Sequence, residues 1–115
     1  MKYILLILLL LSGCSTWSRQ DIALEATYIG LSVVDMGQTI DIAKRPLEYQ
    51  EVNPILGEHP SPGRVKSFFV FTRVLHVIVV DLLPSKWRQW FQGMGIVEEG
   101  YWVWNNNQIG LNVRF

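Results

Sequence analysis

The chain has 115 residues, half of them hydrophobic, with ten basic and ten acidic side chains. That length suits one small domain, and the neutral balance argues against nucleic acid as a partner. Cys14 is the single cysteine, so no disulfide framework or cysteine-ligated metal centre can be built from this chain alone.

The chain opens on Lys2, a lone positive charge, followed by the apolar run Tyr3 to Leu11. This run has the length of a secretory h-region and is too short to span a bilayer. Leu11-Ser12-Gly13-Cys14 follows and resembles the lipobox of bacterial lipoproteins. The resemblance implies a signal peptide over 1–13, cleaved between Gly13 and Cys14. It also implies a diacylglyceryl and acyl lipid (a palmitate-type chain) on Cys14, the only cofactor-like group expected, and a tether over 14–18. The location implied is the cell envelope membrane of a Gram-negative-type host. Ser15 leans towards export to the outer membrane, whereas membrane-spanning helices would retain the protein in the inner one.

Ser18-Arg19-Gln20-Asp21 has the form of a capping box, which predicts a helix from Arg19 to about Lys44, stopped by Arg45-Pro46. Asp21, Glu25, Ser32, Asp35 and Thr39 recur at spacings of three, four and seven and form one polar seam on an otherwise apolar rod. The segment 46–63 holds four of the five prolines and reads as a long structured connection. Ser61-Pro62 suits the cap and first turn of a second helix, nearly all apolar from Phe68 to Leu83 and interrupted by Thr72, Arg73, His76 and Asp81. Pro84 breaks it, and Ser85 is the expected cap of a third helix from Lys86 to about Asn105. Gly93, Gly95 and Gly100 inside that helix would suit close approach between packed helices. From Gln108 to Phe115 apolar and polar residues alternate, which is strand spacing.

The fold expected is all-α: a three-helix membrane-associated bundle or hairpin over 19–107 after the cleaved signal peptide, with a short extended C-terminal tail over 108–115. Two arrangements compete. In one the helices cross the bilayer. Trp87/Trp90 and Trp102/Trp104 would then form interfacial belts, and Lys44, Arg45, Arg64 and Lys66 would lie on the cytoplasmic side. Lys86 and Arg88 at the other end weaken that pattern. In the other arrangement a soluble bundle hangs from its lipid. Asp35, Arg73, Asp81, Glu98 and Glu99 speak for this one, since each charge costs roughly 2.5–3.5 kcal/mol at a bilayer centre. Asp35 and Arg73 could offset that cost by pairing.

Asp35-x-x-x-Thr39 followed by Glu51-x-Asn53-Pro54-x-Leu56 resembles a motif pair in small bacterial and phage-encoded membrane proteins of about three helices. The similarity covers roughly Val34 to Leu83, and Glu-x-Asn-Pro is its most specific element. The lipobox departs from the usual pattern of that group. The resemblance implies a three-helix membrane fold and a phage or prophage origin, and carries no activity with it.

Asp35, Gln38, Thr39, Glu51, Asn53, His76, Glu98 and Glu99 are the candidate polar network. Its plain role is to satisfy buried groups between helices, with Glu51 and Asn53 capping loop amides. Asp35, His76 and Glu98/Glu99 could instead hold a divalent metal or relay protons, although no tight ligand motif is present. Ser32, Ser61, Ser67 and Ser85 lack a nucleophile-elbow setting, His59 reads as a loop surface residue, and Phe68, Phe69 and Phe71 read as helix packing. Gln108, Gly110, Val113 and Phe115 resemble the C-terminal signal of outer-membrane β-barrels, which would dock by strand addition; the plainer reading of the tail is a short strand or extended segment packed along the helices. The expectation drawn from all of this is a non-enzymatic envelope lipoprotein, embedded in membrane lipid and binding an envelope membrane protein, with no metal and no nucleic acid. Two alternatives remain: an intramembrane metal or proton site on Asp35, His76 and Glu98/Glu99, and a soluble periplasmic bundle docking on outer-membrane proteins through its tail.

Overall fold

A computed structural model describes residues 17–115, and the signal peptide, the lipobox and Cys14 lie outside the described residues. Three helices follow in order: α1 Arg19–Lys44, α2 Pro62–Leu82 and α3 Ser85–Gln108. Among the described residues there is no strand.

Local chemistry sets the ends of α1. Ser18 Oγ accepts from the Asp21 amide at 3.0 Å, and the Asp21 carboxylate accepts from the Ser18 amide at 2.9 Å, closing the expected capping box. Arg45 before Pro46 ends the helix, as the pre-proline restriction requires. Helix α2 starts as expected: Ser61 Oγ accepts from the Arg64 amide at 3.2 Å, and Pro62 fills the first turn, where its missing N–H costs nothing.

Helix α3 departs from expectation at both ends. Pro84, not Ser85, occupies the cap position, and no side chain caps this helix. The extended Pro84 backbone aims its carbonyl at the amides of Trp87 and Arg88, so Ser85 is already helical. The helix also runs past Asn105 to Gln108. It closes on Gly110, whose φ of +89° suits glycine, with the Leu111 amide donating to the Asn106 carbonyl at 3.0 Å in a Schellman-type stop. Gln108 therefore belongs to the helix, and Gly110 to its C-terminal turn.

No strand forms over the tail; beyond the end of α3 it is a non-helical segment packed along α1, in keeping with the plainer of the two readings. Leu111 is buried, and the following residues lie along α1. The Asn112 amide donates to Asp41 Oδ2 at 2.8 Å, and the Arg114 amide donates to the Gly37 carbonyl at 3.0 Å. Lys44 Nζ donates to the Phe115 carbonyl at 3.2 Å. A strand needs a partner ladder, and here helix α1 takes up these backbone groups instead. Gly37 permits the crossing, since a Cβ there would run into Val113, Phe115 and the Arg114 backbone.

Helix α1 is the spine of the bundle. Both α2 and α3 pack along it and touch each other little. The main apolar cluster lies at one end: Ile40, Leu56, Val65 and Phe69 are buried together, with Met36, Ala43 and Phe68 against them. Of the other buried side chains, Tyr28, Ile42, Val80 and Leu111 are apolar and most of the rest are polar. Asp21, Glu25, Ser32, Asp35, Gln38, Thr39, Arg88, Gln92, Glu99 and Asn106 are all buried. The outer faces carry the bulky apolar groups. On α3, Trp87, Trp90, Met94, Val97, Tyr101 and Trp104 form an exposed stripe at alternating spacings of three and four, with Trp90 73% exposed while Gln92 is 0% exposed. On α2, Val70, Phe71, Val74, Leu75, Ile78 and Leu82 face outward in the same way. This is the reverse of the water-soluble pattern.

Of the three helical glycines expected to allow close approach, one does so. A Cβ on Gly95 would sit 2.9 Å from the Tyr28 ring and 3.1 Å from His76 Nε2, whereas Gly93 and Gly100 face open space. Gly95→Ala should therefore lose about 1–2 kcal/mol, because overpacking of roughly 1–3 kcal/mol exceeds a helix-propensity gain of up to about 1 kcal/mol. Gly93→Ala should gain up to about 1 kcal/mol from propensity alone. Thermal unfolding of the two variants side by side checks this, and equal shifts would refute the tight contact at Gly95.

Candidate functional site

The polar interior is a ladder of side chains running the length of the bundle. At the end where α1 begins, Arg88 Nη1 pairs with Asp21 Oδ2 at 3.0 Å, and Arg88 Nε donates to the Val80 carbonyl at 2.8 Å. Trp17 Nε1 donates to Asp81 Oδ1 at 2.8 Å in the same region. The next rung joins all three helices. Gln92 Nε2 donates to the Asp21 carbonyl at 2.8 Å and to Glu25 Oε2 at 3.0 Å, while Glu25 Oε1 lies 2.8 Å from His76 Nδ1. The His76 ring is stacked between Tyr28 and Phe91, at centroid distances of 3.7 and 4.8 Å.

Arg73 makes the third rung. Its guanidinium pairs with Glu99, donates to Ser32 Oγ and, at 2.9 Å, to Thr72 Oγ1, and lies over the Phe69 ring at 4.8 Å. Below it Asn106 Nδ2 donates to Asp35 Oδ1 at 3.0 Å and Gln38 Oε1 at 3.2 Å, and Gln38 Nε2 reaches the Val103 carbonyl at 3.2 Å. Thr39 Oγ1 donates to the Asp35 carbonyl of its own helix at 2.9 Å. The ladder ends at Asp41, which Arg45 and Arg114 both engage. The Asp41 carboxylate holds the half-buried Arg45 guanidinium above its usual pKa, chiefly through their hydrogen bond.

Beside the lower rungs lies a cavity of about 370 Å³ lined by residues of all three helices and of the connecting loop. Of the eight residues in the expected polar network, Asp35, Thr39, Glu51, Asn53, Glu98 and Glu99 line it. Gln38 stands behind the wall, bonded to Asn106. The loop residues have the capping role read from the sequence: Glu51 Oε1 accepts from the amides of Val52 and Asn53 at 2.9 Å each, and Asn53 Oδ1 accepts from the Ile55 amide at 2.9 Å.

His76 is the exception. It belongs to the Glu25–Gln92 rung and is absent from the wall that holds Asp35, Glu98 and Glu99. Among the described residues no group of three histidine, cysteine, aspartate or glutamate side chains could hold a metal ion. The expected Asp35–Arg73 pair is likewise replaced, because Arg73 takes Glu99 and Asp35 takes Asn106. In the tail, Val113 and Phe115 are half exposed, but the backbone amides and carbonyl that strand addition would use are bonded to α1.

Sequence reading missed Arg88, Gln92 and Asn106 as interior groups. The signal was available: Arg88, Gln92, Glu99 and Asn106 follow one another at spacings of four, seven and seven, a polar seam on α3 matching that on α1. The tryptophans drew attention to the opposite face.

Comparison with family models, with curated proteins and with solved structures gave no match. The functional reading therefore stands on this geometry.

Among the described residues no helix is long and apolar enough to cross a membrane. Arg64, Lys66, Arg73, His76 and Asp81 lower the hydropathy of α2, and the last three each have a partner on another segment in the bundle: Glu99, Glu25 and Trp17. Four buried atoms have no hydrogen-bond partner among the described residues: Asp21 Oδ1, His76 Nε2, Gln92 Oε1 and Glu99 Oε2. The last belongs to a residue of the cavity wall.

Proposed function

We propose that this protein is a non-enzymatic, lipid-anchored envelope protein whose three helices sit together in the bilayer and engage a membrane protein partner. The observation that carries the reading is the inverted distribution of side chains: ion pairs and amides inside, tryptophan and aliphatic stripes outside. In water such exposed stripes on α2 and α3 would cost roughly 25 cal/mol for each Å² left uncovered, whereas lipid covers them at no such cost. Inside a bilayer, polar groups face the bundle interior and pair with one another, as the ladder does.

Three further observations support it. At 1.5 Å per residue the helices are between about 31 and 39 Å long, against a hydrocarbon core of about 30 Å. Trp17, Trp87 and Trp90 lie towards one end, Trp102 and Trp104 towards the other, as interfacial belts do. Lys44, Arg45, Arg64, Lys66 and Arg114 gather at the end where α1 stops and α2 starts, opposite Trp17, which agrees with the positive-inside rule for three crossings if the start of α1 faces outward. No single helix enters lipid readily on this reading. The three insert as a set because the groups that oppose insertion are one another's partners.

The test removes the lipid and leaves the helices. Residues 1–14 are replaced by a secretory signal that is cleaved without lipidation, and membranes are extracted with alkaline carbonate. The expected result is that the unlipidated protein stays in the membrane pellet. Recovery in the soluble fraction would overturn the embedded reading and leave a tethered bundle.

A further inference from the structure

We infer that the outer groove of α3 seats a transmembrane helix of the membrane partner, and that this helix carries a basic side chain, lysine or arginine, opposite Glu98. The inference rests on the embedded reading above and names the chemistry of the partner proposed there.

Trp90, Gly93, Met94 and Val97 line a groove of about 770 Å³ on the outer face of α3, with Lys86 at one end and Glu98 at the other. Trp90, Met94 and Val97 are exposed. A Cβ on Gly93 would meet nothing within 4 Å, which leaves a notch where a second helix can approach closely. The two ends of the groove differ. Lys86 lies level with the first tryptophan belt, its Nζ 5.8 Å from the Trp87 ring centroid, where a lysine reaches the headgroups. Glu98 lies eight residues beyond Trp90, about 12 Å along the helix, and one turn short of Trp102. It therefore stands between the belts, at lipid depth. It is exposed, and among the described residues it takes part in no hydrogen bond or ion pair. The ionisable groups of the neighbouring rungs, Glu25, Asp35, Arg73, His76 and Glu99, are buried or partly buried and partnered. Glu98 also borders the inner cavity, but the arginine there is already engaged by Glu99, Ser32 and Thr72. A carboxyl group facing acyl chains is costly, and ionisable groups within a membrane pair with one another, so a cation on an adjoining helix removes the cost. A second copy of this chain does not supply that cation. Copies share one orientation in the membrane, and a pair packed through this groove about a twofold axis sets Glu98 against Glu98 and Lys86 against Lys86.

The probe is a synthetic, tryptophan-free helix of about 20 apolar residues with one arginine a turn inside one end and a dansyl label. The full lipoprotein is reconstituted with it in phosphatidylcholine vesicles, and energy transfer from the protein's tryptophans to dansyl is followed as the peptide-to-lipid ratio rises. Saturable transfer is expected, half-complete at a peptide fraction about tenfold lower than for the same peptide with leucine in place of arginine. Glu98→Gln should erase that preference. Glu98→Arg should restore binding to a peptide with glutamate at the arginine position. Glu98 is exposed and unbonded among the described residues, so neither variant removes a contact of the fold. Gly93→Leu should weaken the arginine peptide severalfold by filling the notch. The same vesicles are washed with alkaline carbonate. Protein lost in the wash would overturn both the embedded reading and this inference. Protein that stays in the vesicles but takes the arginine and leucine peptides equally, or keeps its preference in Glu98→Gln, would overturn this inference alone and leave the groove to acyl chains. Disulfide cross-linking of Val97→Cys to a second copy in the absence of peptide would overturn it in favour of a homodimer.

Discussion

Replacing Arg88 by methionine is expected to lower the unfolding free energy by about 3–5 kcal/mol, the usual cost of removing one partner from a buried ion pair. The side chain is 4% exposed and ties two structural joints at once. Nη1 neutralises Asp21, itself 2% exposed at the start of α1, while Nε and Nη2 donate to the Val80 and Leu83 carbonyls where α2 ends. Methionine fills much of the volume but leaves Asp21 buried without its cation and the last carbonyls of α2 without this donor. Arg88→Lys should fall between, since it keeps the charge and loses the planar fork that reaches several acceptors together. Adding Asp21→Asn to Arg88→Met should recover part of the loss, because the stranded charge is then gone. Denaturant or thermal unfolding of the four proteins in detergent gives the numbers. A loss below about 1 kcal/mol in Arg88→Met, the range of solvated surface pairs, would show that the pair is not desolvated.

Arg73→Met should cost a similar amount, about 3–5 kcal/mol, by the same mechanism at the centre of the bundle. Glu99 loses its cation, and Ser32 loses its donor from α2. Methionine retains contact with the Phe69 and Tyr28 rings that the guanidinium covers, so the loss reports charge and hydrogen bonding more than packing. Glu99→Gln in the Arg73→Met background should be much less costly than in the native protein, with a coupling of about 0.5–3 kcal/mol. Equal costs in both backgrounds would mean that Arg73 and Glu99 act independently and that the central rung is not a unit.

Both variants act on groups that sequence reading treated unevenly. Asp21, Glu25, Ser32, Asp35 and Thr39 were legible as one seam because a helix places residues three and four apart on the same face whatever surrounds it. Arg88 reads in sequence only as a charge that weakens the positive-inside pattern, since a single arginine near a helix start gives no sign of what lies opposite. Asp35 and Arg73 looked like natural partners by charge, yet the register of α3 brings Asn106 to Asp35 and Glu99 to Arg73. Pairing across helices depends on how far one rod slides along another, and no local pattern records that. His76 reads in sequence with Asp35 and Glu98/Glu99 because imidazole and carboxylates together suit a divalent metal or a proton relay. Its place on the Glu25 rung follows from Gly95, whose missing Cβ leaves room for Tyr28 and His76 to stack.

The tail shows the same limit in another form. Alternation from Gln108 to Phe115 satisfies the strand pattern, but a strand exists only with a neighbour to complete its hydrogen bonds. The neighbour in this fold is a helix, so Asp41, Lys44 and the Gly37 carbonyl take the tail's polar backbone groups. Gly110, read as part of a terminal signal, instead stops α3 in a left-handed turn.

The sequence by itself determined where the helices begin and end at Ser18, Pro46, Ser61 and Pro84, because caps and prolines act within one turn of their own positions. It also determined that a polar seam runs the length of α1, and that Glu51 and Asn53 brace the loop through amides one or two residues away. Only the tertiary structure decided that the seams of α1 and α3 face each other while the tryptophan stripe of α3 faces out. That choice rests on long-range pairing among Asp21, Arg88, Arg73 and Glu99, whose ionic and hydrogen-bond partners lie dozens of residues away in the chain.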